Sequence, residues 1–145
     1  NKIRRALGEQ DLPCPLSSAS EIPHNYISVA FLPYGHLQFS KDDWKILALA
    51  VGYHHERSST PERKQIIEFV QQAMSPSVIE DLFLHMGWQY PFEKPSSFLL
   101  NALEKRGQFS DEMKQNRELF RKYVLMKGLL HRLDHAASAH VEVEI

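Results

Sequence analysis

SKDDWKILALAVGYHH, residues 40–55, decides the fold class. Ser40 is a good helix N-cap, and Asp42 and Asp43 fall in the first turn, where the helix dipole favours anions. A helix advances about 100° per residue, so residues three, four, seven or eleven apart share a face. Trp44, Leu47, Ala48 and Val51 form an apolar stripe on that basis. His54 lies seven residues after Leu47; His55 lies four after Val51 and eleven after Trp44. Both imidazoles are therefore expected to continue the buried stripe of a helix that runs to residue 55. A second reading stands beside it: histidines in a last helical turn are favoured by the dipole and need no ligand.

The same rules extend outward along the chain. PHNYISVAFL opens with Pro23, a good first-turn residue, and predicts a helix. STPERKQIIEFVQQAM predicts another, with Ser59 and Glu62 at capping-box spacing. SPSVIEDLFLHMG runs from Ser75 and Pro76 to a closing Gly87, and PSSFLLNALEKRG is expected to end at Gly107. A long helix is expected from about Ser110 to about Ser138. Residues 8–20, with two prolines and three serines, read as loop, and residues 139–145 as an exit linker or short strand. Strand signals are otherwise weak, so the expectation is a single all-α domain over residues 1–145.

Composition removes several classes of function. Hydrophobic residues make up 43% of the 145, enough for a real core, and no segment is long and apolar enough to span a membrane. The N-terminus lacks the pattern of a signal peptide. Cys14 is the only cysteine, which excludes a disulfide framework and a thiolate zinc cage and fits a reducing cytoplasm. The formal net charge of −1 excludes a strongly basic nucleic-acid coat, though not a local basic patch.

Eight histidines are spread along the chain: His24, His36, His54, His55, His85, His131, His135 and His140. Imidazole is the commonest metal ligand and the usual proton shuttle near neutral pH. His24 shares a face with Ile27, Ser28 and Phe31 in a first turn, where the positive helix end disfavours imidazolium and so keeps the neutral ring a metal needs. It could equally bond a nearby backbone group. Asp134 lies four residues after Leu130 and eleven after Tyr123, which puts a carboxylate on an apolar face. Burial without a partner would cost several kcal/mol, so a metal, an arginine such as Arg132, or a histidine should compensate it. Imidazoles and a carboxylate converging from separate helices suit Mn, Fe, Co, Ni or Zn.

The order PHNYIS (23–28), YHHER (53–57), RLDHAAS (132–138) resembles the later part of the HD-type nuclease domain of the CRISPR-associated type I effector helicase–nuclease. In that family a His, a His-Asp pair, a further His, an adjacent His-His pair and a late Asp surround two metals in an all-α, HD-domain-like helical bundle. The resemblance covers about residues 20–140 and implies that His24, His54 and His55 bind one metal and Asp134 the other. It implies four catalytic, metal-ligating residues (His24, His54, His55 and Asp134), with Mn, Fe, Co or Ni as the ion. Ser138 falls where the family places a small hydroxyl near the bound strand. Arg57 and Arg132 are phosphate candidates by proximity, and Lys2, Arg4 and Arg5 could also contact phosphates. No His-Asp dipeptide occurs in this chain, so the first His, that pair and its bridging carboxylate are expected upstream of Asn1.

The resemblance implies a metal-dependent nuclease that cleaves single-stranded DNA in CRISPR type I interference. Its partners would be single-stranded DNA, a helicase domain in the same chain or complex, and the CRISPR RNA-guided surveillance complex, with no membrane. Two other readings use the same residues: an HD-type nucleotide phosphohydrolase, because metals read the phosphate and the pocket reads the rest, or a non-catalytic helical module docked onto a larger assembly.

Overall fold

The computed structural model describes residues 22–55, 60–73, 76–85, 87 and 94–139. Among them are seven helices and no strand, an all-α fold. They are α1 (His24–Ala30), α2 (Lys41–Gly52), α3 (Arg63–Ala73), α4 (Pro76–His85), α5 (Ser97–Glu104), α6 (Arg106–Gln115) and α7 (Arg117–Ala139). No described helix is long and apolar enough to cross a membrane. The expected N-terminal loop, Cys14, Lys2, Arg4, Arg5, Ser59, Arg57, His140 and the alternating tail lie outside the described residues.

Helix α2 is the centre of the packing, with α1, α5 and α7 against it. It begins as its sequence dictates: the Ser40 hydroxyl oxygen accepts the Asp43 N–H at 3.1 Å, with Asp42 and Asp43 in the first turn. The stripe read from spacing is too narrow. Ile46, Leu49 and Ala50 are buried along with Trp44 and Ala48, while Leu47 and Val51 are only half-buried. A helix with neighbours on three sides is apolar nearly all round, and that removes the one-sided pattern.

Two contacts give the register of α7 on α2. Lys122 Nζ reaches Asp43 Oδ1 at 3.1 Å, and Asp134 Oδ2 stands 3.8 Å from His55 Nε2. Both pairs are separated by 79 residues, so the two segments run parallel and in step. The Ser40 hydroxyl, donating to Asp43 Oδ2 at 2.7 Å, and the Lys122 ammonium hold the Asp43 carboxyl below its usual range.

Besides the end of α2, three helix boundaries differ from expectation. Helix α3 starts at Arg63, and Glu62 takes the capping position instead of the third: its N–H donates to Gln65 Oε1 at 2.8 Å. The Arg63 N–H is in turn satisfied by Glu104 Oε1 at 2.9 Å, so a neighbouring helix helps to set the start. Gly107 ends nothing; it lies inside α6, and α5 closes earlier, at Glu104. The long terminal helix begins at Arg117 because Asn116 leaves helical geometry (φ −122°, ψ 97°) and its Oδ1 accepts the Leu119 N–H at 3.1 Å. An asparagine's capping ability outweighs an otherwise helical pattern there. Ser96 caps α5 as a serine should, accepting from Leu99 N, and Gly87 follows α4 with φ +67°.

The core joins Tyr26 and Val29 of α1, Leu49 of α2, Ile66 of α3, and Leu99, Leu100 and Leu103 of α5. Gly52 is its tightest point. A Cβ there would lie 2.4 Å from Leu103 Cδ2, and Leu103 is itself fully buried. Any side chain at Gly52 would have to push the buried Leu103 methyl aside. Gly52→Ala is expected to destabilise the fold by about 1–3 kcal/mol through overpacking, read as a lowered midpoint in urea unfolding.

Candidate metal centre

The end of α2 builds the site. Its last residue is Gly52, not His55, and both histidines lie beyond the helix, half-buried in the turn that follows. The expectation that they extend a helical stripe is therefore corrected, and so is the reading that places them in a last helical turn. A helix leaves its final carbonyls without intrahelical donors. Here side chains supply them: the Asn25 amide Nδ2 donates to Gly52 O, and His54 Nδ1 bonds Val51 O at 2.6 Å. These two bonds end α2 and turn the chain.

Both bonds fix chemistry as well as shape. A carbonyl can only accept, so the proton of a neutral His54 sits on Nδ1 and the lone pair is left on Nε2. A backbone carbonyl holding one ring nitrogen so that the other is presented is the usual outer support of a ligating histidine. Asn25 is fully buried and adjacent to His24 in sequence, so its bond ties the start of α1 to the end of α2. Its Oδ1 is buried without a hydrogen-bond partner.

Tyr53 anchors the same turn from the inside. Its N–H donates to Leu49 O at 2.9 Å and closes the helix. Its hydroxyl donates to Leu103 O at 3.2 Å, which leaves the Thr60 hydroxyl, 2.7 Å away, as donor to the phenol oxygen. The ring meets Tyr26 edge-on at 5.6 Å and carries the Arg106 guanidinium 4.0 Å above its centroid. Burial pushes its pKa up, so the phenol stays protonated and keeps donating.

The outcome is a cluster. One ring nitrogen from each of His24, His54 and His55 lies within 4.8 Å of the others. The ring centroids are 5.8 Å apart for His24–His54, 5.2 Å for His24–His55 and 4.1 Å for His54–His55. With a metal–imidazole bond of about 2.1 Å, two rings on one ion would be about 4.5 Å apart at a right angle and about 5.2 Å apart at the tetrahedral angle. The His24–His55 separation fits that range; the His24–His54 pair needs to close, and the His54–His55 pair to open, by about half an ångström each. Three imidazoles with a carboxylate alongside suit a borderline divalent ion and leave a position for a further ligand.

Asp134 arrives on α7 beside His55, at 3.8 Å. That is too long for a hydrogen bond but close enough to attract an imidazolium or to share a cation. Its side chain is 38% exposed, so the expected burial on an apolar face is corrected to a half-exposed rim position. The histidine foreseen as one possible partner is the one found.

Other candidates sit apart from the cluster. Ser138 and Arg132 are exposed on α7. His36 is exposed, and His85, at the last position of α4, directs Nδ1 to Asp81 O at 2.8 Å. His131 and His135 face each other across one turn of α7, with ring centroids 6.2 Å apart.

Asn25, Gly52 and Tyr53 were not foreseen as parts of the site. The one trace in the sequence is an asparagine four residues before Val29, on a buried helical face where asparagine is poorly suited. Comparison of the chain with protein-family models, curated proteins and solved structures finds no match.

Asn25→Ala leaves the buried Gly52 carbonyl without its donor and should cost about 1–3 kcal/mol, measured by chemical denaturation. In the folded fraction, line broadening of the His24 and His54 ring protons in NMR spectra should accompany it, because the two chain segments lose their tie.

Proposed function

We propose that this chain is a metal-dependent phosphodiesterase domain whose substrate is single-stranded DNA. The observation that supports the reading is the juxtaposition of His24, His54 and His55 within 4.8 Å of one another, with Asp134 on the outer side of His55. These are the residues that the resemblance to an HD-type nuclease nominates, and they come from three distant parts of the chain.

A bound divalent ion would supply Lewis-acid polarisation of a phosphoryl oxygen and acidification of water. The chain's own residues do the rest. His24, His54 and His55 would hold the ion, and the bond from His54 Nδ1 to the Val51 carbonyl leaves Nε2 of the neutral ring as the nitrogen that would ligate. Asp134, on the rim, takes part of the ion's charge or accepts a proton from attacking water. Arg132 and Ser138, exposed on the same helix as Asp134, would contact the phosphates of the strand. The open, half-exposed setting suits a polymer better than an enclosed small substrate. The same resemblance supports a helicase domain and a CRISPR RNA-guided surveillance complex as the partners that present the strand, in the cytoplasm.

The test uses the full-length protein, loaded in turn with Mn, Co, Ni or Fe. At least one ion should be retained per chain by elemental analysis, and labelled single-stranded DNA should be cleaved. His54→Ala and Asp134→Ala should each lower cleavage by at least about 100-fold, with helical circular dichroism unchanged. Retention of no stoichiometric metal, or cleavage that survives either substitution, overturns the proposal. Hydrolysis of deoxynucleotides without cleavage of strands would instead support the phosphohydrolase reading.

A further inference from the structure

The described residues carry a second pair of metal-type donors that the cluster leaves unused. His131 and His135 are four residues apart on α7, so they stand on one face, one turn above the other. Their ring centroids are 6.2 Å apart with an interplanar angle of 80°. Two imidazoles on one ion have centroids separated by about 4.5 Å at a right angle and about 6.4 Å when opposed across the metal. The observed separation already falls inside that span. His135 is exposed and His131 half-buried, so closing to the right-angle geometry needs only side-chain rotation at the surface.

Helix α7 is continuous over 23 residues, from Arg117 to Ala139. The pair is therefore held by a backbone that is already ordered, and an ion binding it orders only two side chains. Paired histidines at this spacing on one helical face are an established way to hold zinc. With two imidazoles and solvent as the donor set, the ion would be a borderline one, Ni, Cu or Zn, rather than Mg or Ca.

We propose that His131 and His135 form a second chelating site for a divalent transition ion. It is distinct from the cluster at the end of α2. Asp134, whose carboxylate lies 3.8 Å from His55 Nε2, stands three residues after His131 and so on a neighbouring part of the same helix face. The pair nevertheless has its own ligands, since neither His131 nor His135 belongs to the His24, His54 and His55 group. A bound ion would link two successive turns near the end of α7, on the helix that delivers Asp134 to the first cluster.

The test uses the full chain, with Cu(II) and Zn(II) as probes, in equilibrium dialysis and electron paramagnetic resonance. Replacing His24 and His54 by Ala together removes the first cluster. This variant should still bind one Cu(II) per chain with hyperfine structure from two nitrogens. Adding His135→Ala or His131→Ala should weaken that ion by at least about tenfold and remove one nitrogen from the spectrum. Unchanged affinity and spectrum overturn the proposal. Should the His24/His54 variant lose its helical circular dichroism, the comparison is made in the wild type. There His131→Ala with His135→Ala must lower Zn(II) stoichiometry by one ion, and unaltered stoichiometry overturns the site. Because the two sets of ligands do not overlap, loss of the first cluster's metal or activity is read separately from loss of this one.

Discussion

Everything about the site follows from how α2 stops. A helix packed on three sides cannot end by fraying into water, because its last carbonyls are held inside the protein. Gly52 brings the backbone so close to a buried Leu103 methyl that a Cβ would have to displace it. At that point the Gly52 and Val51 carbonyls need donors, and Asn25 and His54 provide them. The donor for Gly52 comes from α1, which draws the first turn of α1, and His24 with it, to the end of α2. The donor for Val51 is itself a member of the cluster. Termination of the helix, its tertiary contact with α1 and the orientation of an imidazole are thus one interaction seen at three levels.

This arrangement also fixes the tautomer of the neutral ring. His54 meets the end of α2 through Nδ1–H donated to Val51 O, which serves the carbonyl and, in the neutral imidazole, places the lone pair on the opposite nitrogen. Tyr53 keeps the turn from relaxing. Buried among Tyr26, Leu103, Thr60 and Arg106, it is the one side chain of the Tyr53–His55 turn that is fully enclosed. The ligating side chains can therefore face outward while the backbone that carries them is fixed from within.

The all-α class and most helix starts were legible because capping is local: Ser40 and Ser96 act within four residues of themselves. The juxtaposition of His24, His54, His55 and Asp134 was legible as a set but not for the reason first apparent. Helical phase put the two adjacent histidines on a buried stripe, yet α2 ends before it reaches them. His54 is local to that end, but its other determinants are Asn25, 27 residues earlier in the chain, and Leu103 on another helix. No window of local sequence contains those two. The same limit hid the true start of α3, where Glu104 satisfies Arg63 N–H. It also hid the breadth of α2's buried surface, which depends on how many helices surround it. Asn116 is the instructive contrast: its cap is local, to Leu119 three residues on, yet the helical pattern on both sides of it masks that signal.

Asp134 tests how far such distant constraints reach. Its position depends on α7 as a whole, since a parallel helix in register carries an error at one end to the other. Twelve residues separate Asp43 from His55 and Lys122 from Asp134, so both segments advance by equal lengths between the two contacts. The Asp43–Lys122 pair is exposed and weak by itself. The apolar groove of about 370 Å³ beside it, lined by Phe39, Ile46, Leu47, Leu125, Met126 and Leu129, shows that α7 does not seal fully against α2 at that end. Register therefore rests chiefly on the buried contacts of Leu119, with Tyr123 and Met126 packed beside them. An ion shared between His55 and Asp134 would add a second fastening at the far end of the pair. By linkage, whatever tightens α7 on α2 must raise affinity for that ion, and the ion must in turn stabilise their packing by the same free energy.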